Sequence, residues 1–316
     1  MIEDLVTGGA GFIGSNLAAR IATERGAVRV FDDLSTGRRE NLAPLGAAVE
    51  LRVGCVTDPA ALAEAMRGVR RVFHLAAMVA VERTVREPVE AERINVLGTL
   101  RVLEAARAAG VERVVLASSA AVYGNDPALP KRETMRPEPV SPYGVTKLAA
   151  EHYVRFFARE HGLGGVSLRF FNVFGPRQDP RSPYAAAIPR FLDALLDGRP
   201  PEIFGDGRQT RDFCPVEDVV EACLRAAAAP GVGDGEVFNI GRGEETDLLG
   251  LLDWLARGVG RSVPPRFSPP RPGDIRRSVA DVSRARERLG FTPAGPLGEA
   301  LARTARWYQE HRRCGA

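Results

Sequence analysis

A glycine-rich turn near the start of the chain constrains its fold more than any other feature. The segment T-G-G-A-G-F-I-G occupies residues 7–14, directly after the apolar pair Leu5–Val6 and directly before an amphipathic run. Its glycines Gly8, Gly11 and Gly14 have the spacing at which a strand turns into a helix and the backbone can approach a pyrophosphate closely. The turn therefore predicts a dinucleotide-binding domain.

An acidic residue at the end of the second predicted strand, residues 28–31, indicates which dinucleotide binds. Asp32 lies about 20 residues beyond the glycine turn, where a carboxylate can accept hydrogen bonds from the adenine ribose. The same carboxylate would repel a 2′-phosphate. The pattern therefore favours NAD over NADP.

Short apolar runs and amphipathic runs alternate along the first half of the chain. The predicted strands are 28–31, 49–53, 71–75, 114–118 and 166–171, and the predicted helices are 12–24, 59–66, 90–109 and 142–160. This alternation predicts an α/β fold with a doubly wound, Rossmann-like parallel sheet, because parallel neighbours need crossover connections.

After Asn172 the sequence becomes richer in glycine and proline, and its apolar runs become shorter. This change predicts a smaller lobe of loops and helices, which would carry substrate contacts. We expect residues 1–172 to form the NAD-binding domain, with 212–242 returning to it. Residues 173–211 and 243–316 would then form the substrate-binding lobe.

Composition and charge argue against several other classes of protein. The net charge is +3 over 316 residues, with acids and bases interspersed, so a nucleic-acid partner is not expected. Four cysteines and four histidines lack paired spacings, which argues against a disulfide framework or a bound metal. There is neither a signal-like leader nor an apolar stretch of membrane-spanning length. We expect a cytoplasmic protein with no membrane partner.

The segment S-P-Y-G-V-T-K carries the strongest candidate for catalysis. Tyr143 and Lys147 are four residues apart, so a helix brings them to one face. Only two of the 43 basic residues are lysine, namely Lys131 and Lys147. A compact ammonium can lower the pKa of a neighbouring phenol, so that the phenolate acts as a base. The plainer alternative is that Lys147 is an ordinary surface residue.

Ser119 follows the predicted strand 114–118 and lies outside the carboxyl end of the sheet, where ligands of such folds bind. Alone it could merely cap a turn. Beside Tyr143 and Lys147 it completes a Ser–Tyr–Lys set, in which the serine hydroxyl bonds to the substrate oxygen that the tyrosine deprotonates.

Taken together, these features resemble the extended short-chain dehydrogenase/reductases that act on nucleotide sugars. The motifs are T-G-G-A-G-F-I-G, Asp32, H-L-A-A at 74–77, Asn95, Ser119, Y-x-x-x-K and R-F-F-N-V-F-G-P-R-Q at 169–178. The match covers nearly the whole chain. Three segments are most similar to UDP-N-acetylglucosamine 4-epimerases, and UDP-glucose 4-epimerases are similar as well. These segments are Y-G-N-D-P-A-L-P-K, Q-D-P-R-S-P-Y-A-A-A-I-P-R-F and T-R-D-F-C.

The resemblance implies two sets of binding residues. Residues expected to contact NAD are Gly8, Gly11, Phe12, Ile13, Asp32, Leu75, Ala76, Ala77, Asn95, Tyr143 and Lys147. Residues expected to contact a UDP-sugar are Ser119, Asn172, Arg211, Arg271, Asp274 and Ser278. Among the second set, Asn172 and the two arginines would hold the diphosphate, and Asp274 the uridine ribose.

The resemblance also implies a reaction. Related dehydratases and decarboxylases carry an acidic residue directly after the active-site hydroxyl, where this chain has Ala120 and Ala121. 4-Epimerisation needs no such acid. Tyr143 would take the 4-hydroxyl proton while hydride leaves C4 for NAD, and the 4-keto sugar would turn over and take the hydride back. Lys147 would hold the nicotinamide ribose and lower the pKa of Tyr143.

The expected sugar is UDP-N-acetylglucosamine, interconverted with UDP-N-acetylgalactosamine. In related galactose epimerases the residue three positions before the aspartate of an A-D-x-S/T-K/R-A motif decides whether an N-acetyl group fits. Here that motif contains Asp281, so the deciding residue is Ser278, which is small enough to leave room.

Alternatives and departures remain. A UDP-glucuronate 4-epimerase or a net nucleotide-sugar dehydrogenase or reductase would carry the same motifs, and a non-catalytic NAD-sensing protein is the alternative of another class. Cys55 replaces the aspartate that holds the adenine amine in relatives, so we expect weaker anchoring, or anchoring through water or Asp58. The resemblance suggests a homodimer through helices near 90–109 and 143–160.

Overall fold

The computed structural model describes residues 2–179, 186–270 and 275–313. Its strands are β1 (Asp4–Thr7), β2 (Val28–Asp32), β3 (Val49–Val53), β4 (Arg71–His74), β5 (Arg113–Ser119), β6 (Gly164–Phe170), β7 (Asn172–Phe174), β8 (Glu202–Phe204), β9 (Thr210–Arg211), β10 (Phe213–Pro215), β11 (Asp234–Ile240), β12 (Thr246–Asp247) and β13 (Arg266–Ser268).

The helices are α1 (Phe12–Arg25), α2 (Pro59–Ala65), α3 (Val81–Arg86), α4 (Pro88–Glu92), α5 (Gly98–Ala108), α6 (Pro142–His161), α7 (Ala187–Asp197), α8 (Val216–Ala228), α9 (Leu248–Val259), α10 (Ser283–Leu289) and α11 (Leu297–Arg313). Within the described residues, no helix combines the length and apolarity needed to cross a bilayer.

Seven parallel strands form the central sheet in the order β3-β2-β1-β4-β5-β6-β11. All four residues of β1 are buried, as expected of a strand covered on both faces by crossover helices. The chain order reverses between β1 and β4, which opens a crevice at the carboxyl ends of these strands. The predicted doubly wound parallel sheet is confirmed.

Helices pack on both faces of the sheet. On one face α1 packs against α8, and Leu17 and Val219 are fully buried in a shared apolar core. On the other face α5 and α6 contribute Val102 and Val154 to a second core. A third core, formed by α7, α9 and α11, lies in the second half of the chain. The boundaries of a separate substrate-binding lobe stay a prediction.

The long helix predicted for residues 90–109 is instead interrupted. Between α4 and α5, residues Arg93–Leu97 form a π-helical turn, in which the Gly98 N–H bonds to the Arg93 carbonyl five residues back. Such a turn adds one residue to the helix and is often found at functional sites. Here it places Asn95 in the interior, only 3% exposed.

Short strand pairs bring the second half of the chain over the carboxyl ends of the sheet. β7 pairs with β10, β9 with β12, and β8 with β13. A further bridge joins Thr210 of β9 to Arg277, and Lys131 is bridged to Ala280. The segment from 276 to 281 therefore runs between β9 and the loop that precedes α6.

Candidate active site

The glycine turn depends on close backbone contacts that a side chain would prevent. Gly8 has a φ of 68°, and a Cβ on it would lie 2.7 Å from the backbone nitrogen of Ala76, in the loop after β4. A Cβ on Gly14 would lie 2.2 Å from the carbonyl oxygen of Gly8, so α1 begins directly against the turn. The predicted NAD residues Leu75, Ala76 and Ala77 therefore lie beside the turn.

Helix α1 presents its N-terminus to this turn. Gly11 is the residue before the helix, and among the described residues no side chain caps it. The N–H groups at the start of a helix lack intrahelical acceptors and carry partial positive charge, which suits a pyrophosphate. Phe12 and Ile13 in this first turn are half-buried.

The carboxylate of Asp32 is fixed at the end of β2. Its Oδ2 accepts a hydrogen bond from the Ala10 N–H at 2.9 Å, and its Oδ1 accepts one from the Leu34 N–H at 2.8 Å. Each oxygen keeps a second lone pair for a ribose hydroxyl. A Cβ at Gly37 would lie 2.7 Å from Oδ1, so glycine leaves the carboxylate uncovered there. Burial raises the pKa of Asp32, and the two N–H groups oppose this shift. These residues fit NAD.

Tyr143, Lys147 and Ser119 come together at the carboxyl end of β5. The Lys147 ammonium nitrogen lies 5.8 Å from the centre of the Tyr143 ring and donates to the carbonyl oxygen of Ala117 at 2.8 Å. The Ser119 hydroxyl lies near the Tyr143 phenol, whose charged form it favours, and it accepts from the Ala121 N–H at 3.2 Å. Both β5 and α6 therefore hold the three side chains in one place.

Burial has the largest effect on the pKa of Tyr143 in the protein alone, and the predicted lowering by Lys147 stays a prediction. Burial of the phenol raises its pKa, and the group that opposes this shift is the Ser119 hydroxyl. Burial also lowers the pKa of Lys147 to about 8, while Glu151 acts to raise it. Both shifts have the same physical cause, since a low-dielectric site disfavours the charged form of either group.

His74, whose side chain the sequence reasoning left without a role, joins the cofactor turn to the π-helical turn. Its Nδ1 lies 2.7 Å from Thr7 Oγ1, and its Nε2 lies 3.0 Å from Thr99 Oγ1. The Thr99 hydroxyl donates to the Asn95 carbonyl at 2.6 Å, so it must accept from His74, which places the proton on Nε2. Burial, then the charge of Lys147, lowers the pKa of His74 to about 3. The imidazole is therefore neutral at neutral pH.

Asn95 bridges the loop after β4 to the helix that carries Tyr143. Its Oδ1 accepts from the Met78 N–H at 2.7 Å, while its Nδ2 donates to the Met78 carbonyl at 3.1 Å and to Thr146 Oγ1 at 3.0 Å. Both donors of the amide are thus used. Its predicted contact with NAD stays a prediction, and within the protein its role is to hold Met78 against α6.

The predicted substrate residues differ in what the structure says of them. Asn172 is exposed at the start of β7, where its backbone N–H bonds to the Asp212 carbonyl at 3.0 Å. Arg211 in β9 is half-buried, and its Nη1 donates to the Thr210 carbonyl at 2.8 Å. Ser278 is half-buried next to Arg277, which is bridged to β9. Arg271 and Asp274 lie outside the described residues.

The region around Cys55 contains a polar group that the sequence reasoning missed. Cys55 Sγ lies 3.1 Å from Thr57 Oγ1, which also accepts from Arg93 Nη1 at 2.9 Å. Asp58 instead caps α2, because its Oδ1 accepts from the N–H groups of Ala60 and Ala61. Adenine anchoring through Asp58 stays a prediction, and Thr57 is a further hydroxyl beside it. Among the described residues, no group of histidine, cysteine and acidic side chains could hold a metal ion.

Comparison with known proteins adds independent findings. Residues 5–241 match the model of the NAD-dependent epimerase/dehydratase family. The UDP-glucose 4-epimerase of Mycolicibacterium smegmatis is 43% identical over 314 residues, which cover 98% of this chain and 99% of the relative.

Two solved structures are similar over almost their full length. The UDP-N-acetylglucosamine 4-epimerase of Methanobrevibacter ruminantium, in complex with UDP-N-acetylmuramic acid, has a TM-score of 0.93 at 34% identity, covering 98% of this chain and 100% of that one. The UDP-glucose 4-epimerase of Thermus thermophilus, in complex with NAD, has a TM-score of 0.88 at 35% identity, covering 98% and 99%.

Proposed function

The chain belongs to the NAD-dependent epimerase/dehydratase family, and from this premise we propose that it is a UDP-sugar 4-epimerase whose substrates are UDP-N-acetylglucosamine and UDP-N-acetylgalactosamine. The observation that carries the reaction is the meeting of Ser119, Tyr143 and Lys147 at the carboxyl end of β5.

The residues divide the proton chemistry among themselves. Tyr143 takes the proton of the 4-hydroxyl as that carbon is oxidised and returns it when the carbon is reduced. Ser119 donates a hydrogen bond to the same oxygen, and Lys147 supplies a nearby positive charge that favours the phenolate. Bound NAD would supply the acceptor and donor of the C4 hydride, together with a positive ring that favours the phenolate.

The residues that follow Ser119 support epimerisation over elimination. Ala120 and Ala121 begin a 3₁₀ turn directly after β5, and neither side chain can give or take a proton. Water loss across a neighbouring bond needs a second acid–base pair in addition to the tyrosine. The site therefore supplies the proton transfer that 4-epimerisation requires and no second one at this position.

Ser278 supports the choice of an N-acetylated sugar. It is a small, half-buried residue on the segment next to β9. A filled pocket rejects added atoms because overpacking is costly, whereas serine leaves space for an acetamido group.

UDP-glucose and UDP-galactose are the second candidate pair. The relative from Mycolicibacterium smegmatis carries the name UDP-glucose 4-epimerase and covers nearly the whole chain. A pocket that accepts an acetamido group also accepts the smaller hydroxyl, so activity on both pairs is compatible with Ser278.

A homodimer is the proposed assembly. Valine and phenylalanine side chains are exposed on adjoining helices, namely Val85 of α3 (58%), Val89 of α4 (81%), and Val145 (46%) and Phe156 (51%) of α6. An exposed apolar patch of this kind favours association with a second apolar surface.

Light scattering tests this: Val89→Glu should shift the protein towards monomer, whereas Val53→Glu, on β3 and similarly exposed, should not. A wild type that is monomeric at micromolar concentration contradicts the proposal.

The experiment that tests the function uses the purified protein without added cofactor. It is incubated separately with UDP-N-acetylglucosamine, UDP-glucose and UDP-glucuronate, and the products are separated by chromatography. We expect the 4-epimer of UDP-N-acetylglucosamine, without accumulation of NADH. Turnover of UDP-glucuronate alone, net formation of NADH, or no product from any of the three would overturn the proposal.

A further inference from the structure

A buried ion pair lies directly behind the candidate active site. Glu151 of α6 and Arg169 of β6 have side chains only 2% and 4% exposed. Arg169 donates to both carboxylate oxygens, from Nε to Oε1 at 2.9 Å and from Nη2 to Oε2 at 2.7 Å. The Ser118 hydroxyl of β5 donates to Oε1 at 2.5 Å. Three charge-assisted hydrogen bonds therefore fix the Glu151 carboxylate.

Aromatic and polar groups lie around Arg169, on the side of the pair away from Lys147. The guanidinium carbon of Arg169 lies 4.8 Å from the centre of the Tyr123 ring. The Tyr123 hydroxyl donates to Asn239 Oδ1 of β11 at 2.6 Å. The polar network thus runs from β11 through Arg169 to α6, and Glu151 is its end nearest the catalytic residues.

Glu151 follows Lys147 by one helical turn, so the two side chains lie on the same face of α6. Lys147 is 5% exposed, and its charged form is disfavoured by burial. Among the described residues, the titratable groups that face it are Tyr143 and Glu151 from α6 and His74 from β4. His74 is neutral at neutral pH, so Glu151 is the negative charge that favours the ammonium.

We propose that Glu151 is a positioning residue: its carboxylate, fixed by Arg169 and Ser118, keeps Lys147 in its charged form and holds α6 against the end of β5. This inference rests on the proposed function, in which the Lys147 charge assists Tyr143. Ser118 and Ser119 are adjacent, so Glu151 holds the end of β5 at the residue next to the catalytic serine.

The small number of lysines makes a direct test possible. Protein labelled with ¹³C at the lysine side chain gives signals from Lys131 and Lys147 alone, and Lys131→Arg assigns them. The pH titration of the Lys147 signal is measured in the wild type and in Glu151→Gln. Glu160→Gln, at an exposed position of the same helix, is the matched control. We expect the Lys147 pKa to fall measurably in Glu151→Gln, because a nearby opposite charge is lost. Lys131 should not shift, and the control should match the wild type.

The pH profile of turnover gives the second readout. Lys147 acts as the ammonium, so turnover should fall at high pH as Lys147 loses its proton. This alkaline limb of the profile should move to lower pH in Glu151→Gln, by the same interval as the Lys147 pKa. A carboxylate that only stabilised the fold would lower turnover at all pH values without moving the limb. Glu151→Asp keeps the charge, so the alkaline limb of its profile should lie close to that of the wild type.

Glu151→Gln leaves the Arg169 guanidinium buried without its partner, which is strongly destabilising in such pairs. If this variant does not fold, the double variant Glu151→Gln/Arg169→Met, which removes both charges, is titrated instead. We again expect a Lys147 pKa below that of the wild type. An unchanged Lys147 pKa in a folded variant overturns the proposal. A lowered Lys147 pKa with an unmoved pH profile supports the role of Glu151 but refutes that of Lys147 in the proposed function.

Discussion

The Lys147 ammonium nitrogen lies 5.8 Å from the centre of the Tyr143 ring, one helical turn away on α6. At this separation the positive charge favours the phenolate, while burial of the phenol opposes it and is the larger effect in the protein alone. The tyrosine therefore depends on all the groups around it, including the Ser119 hydroxyl, to reach its basic form.

Removal of the Tyr143 hydroxyl tests its role as the base. We expect Tyr143→Phe to lower turnover by about 10²–10⁴, the usual contribution of an acid–base group, while UDP-sugar binding is largely retained. Steady-state rates and calorimetric binding measure the two effects. Tyr153→Phe, on the same helix, is the control and should stay close to the wild type. Near-normal turnover in Tyr143→Phe would mean that another residue moves the proton.

Asp32 should decide which cofactor accompanies the purified protein. Its carboxylate is held by two backbone N–H groups and repels a 2′-phosphate, so denatured protein should release NAD or NADH and no NADP. Asp32→Ala should lose most of this bound cofactor. Asp33→Ala, at the exposed neighbouring position, should keep it. Recovery of NADP from the wild type would contradict the assignment.

Ser278 should control the choice of sugar. A tyrosine in its place fills the space that an acetamido group needs, so Ser278→Tyr should lose activity on UDP-N-acetylglucosamine but keep or gain activity on UDP-glucose. Ser283→Tyr, at an exposed position nearby, should change neither rate. If Ser278→Tyr handles N-acetylated sugars as well as the wild type does, this residue does not select the substrate.

His74 should make the protein less stable in acid. Its pKa is about 3 in the folded protein because of burial, against about 6.5 when unfolded. Below pH 6.5 the unfolded chain therefore binds a proton that the folded chain does not, and the free energy of unfolding falls by about 1.4 kcal/mol per pH unit down to about pH 3. Urea unfolding between pH 4 and pH 7 measures this slope.

His74→Asn should flatten the slope, whereas His152→Asn, at an exposed position, should leave it unchanged. Equal slopes in His74→Asn and the wild type would show that some other group binds the proton.

Residue spacings and strand ends in the sequence were enough to predict part of the site. The glycine turn and the helix face shared by Tyr143 and Lys147 depend on spacings of a few residues, and Asp32 depends on the end of the second strand. The structure has the turn before α1, Asp32 at the end of β2, and Tyr143 and Lys147 on α6. The π-helical turn at Asn95 was missed because helical spacing does not show that Asn95 bonds to the Met78 backbone in another loop.

Burial explains the remaining differences between sequence and structure. The rise in the Tyr143 pKa could not be predicted, because spacing alone does not show how deeply a phenol is buried. The pairing of Glu151 with Arg169 could not be predicted either. The two residues lie on different elements, and Arg169 is one of many arginines that the sequence alone does not distinguish.

The central claim is that hydride leaves C4 and returns to it within one site. The most direct test is turnover of UDP-N-acetylglucosamine carrying deuterium at C4, with the product analysed by NMR and mass spectrometry. The account predicts UDP-N-acetylgalactosamine that retains the deuterium at C4, with no exchange into solvent and no accumulation of NADH. Loss of the deuterium to water, or NADH formed in proportion to the sugar consumed, would contradict it.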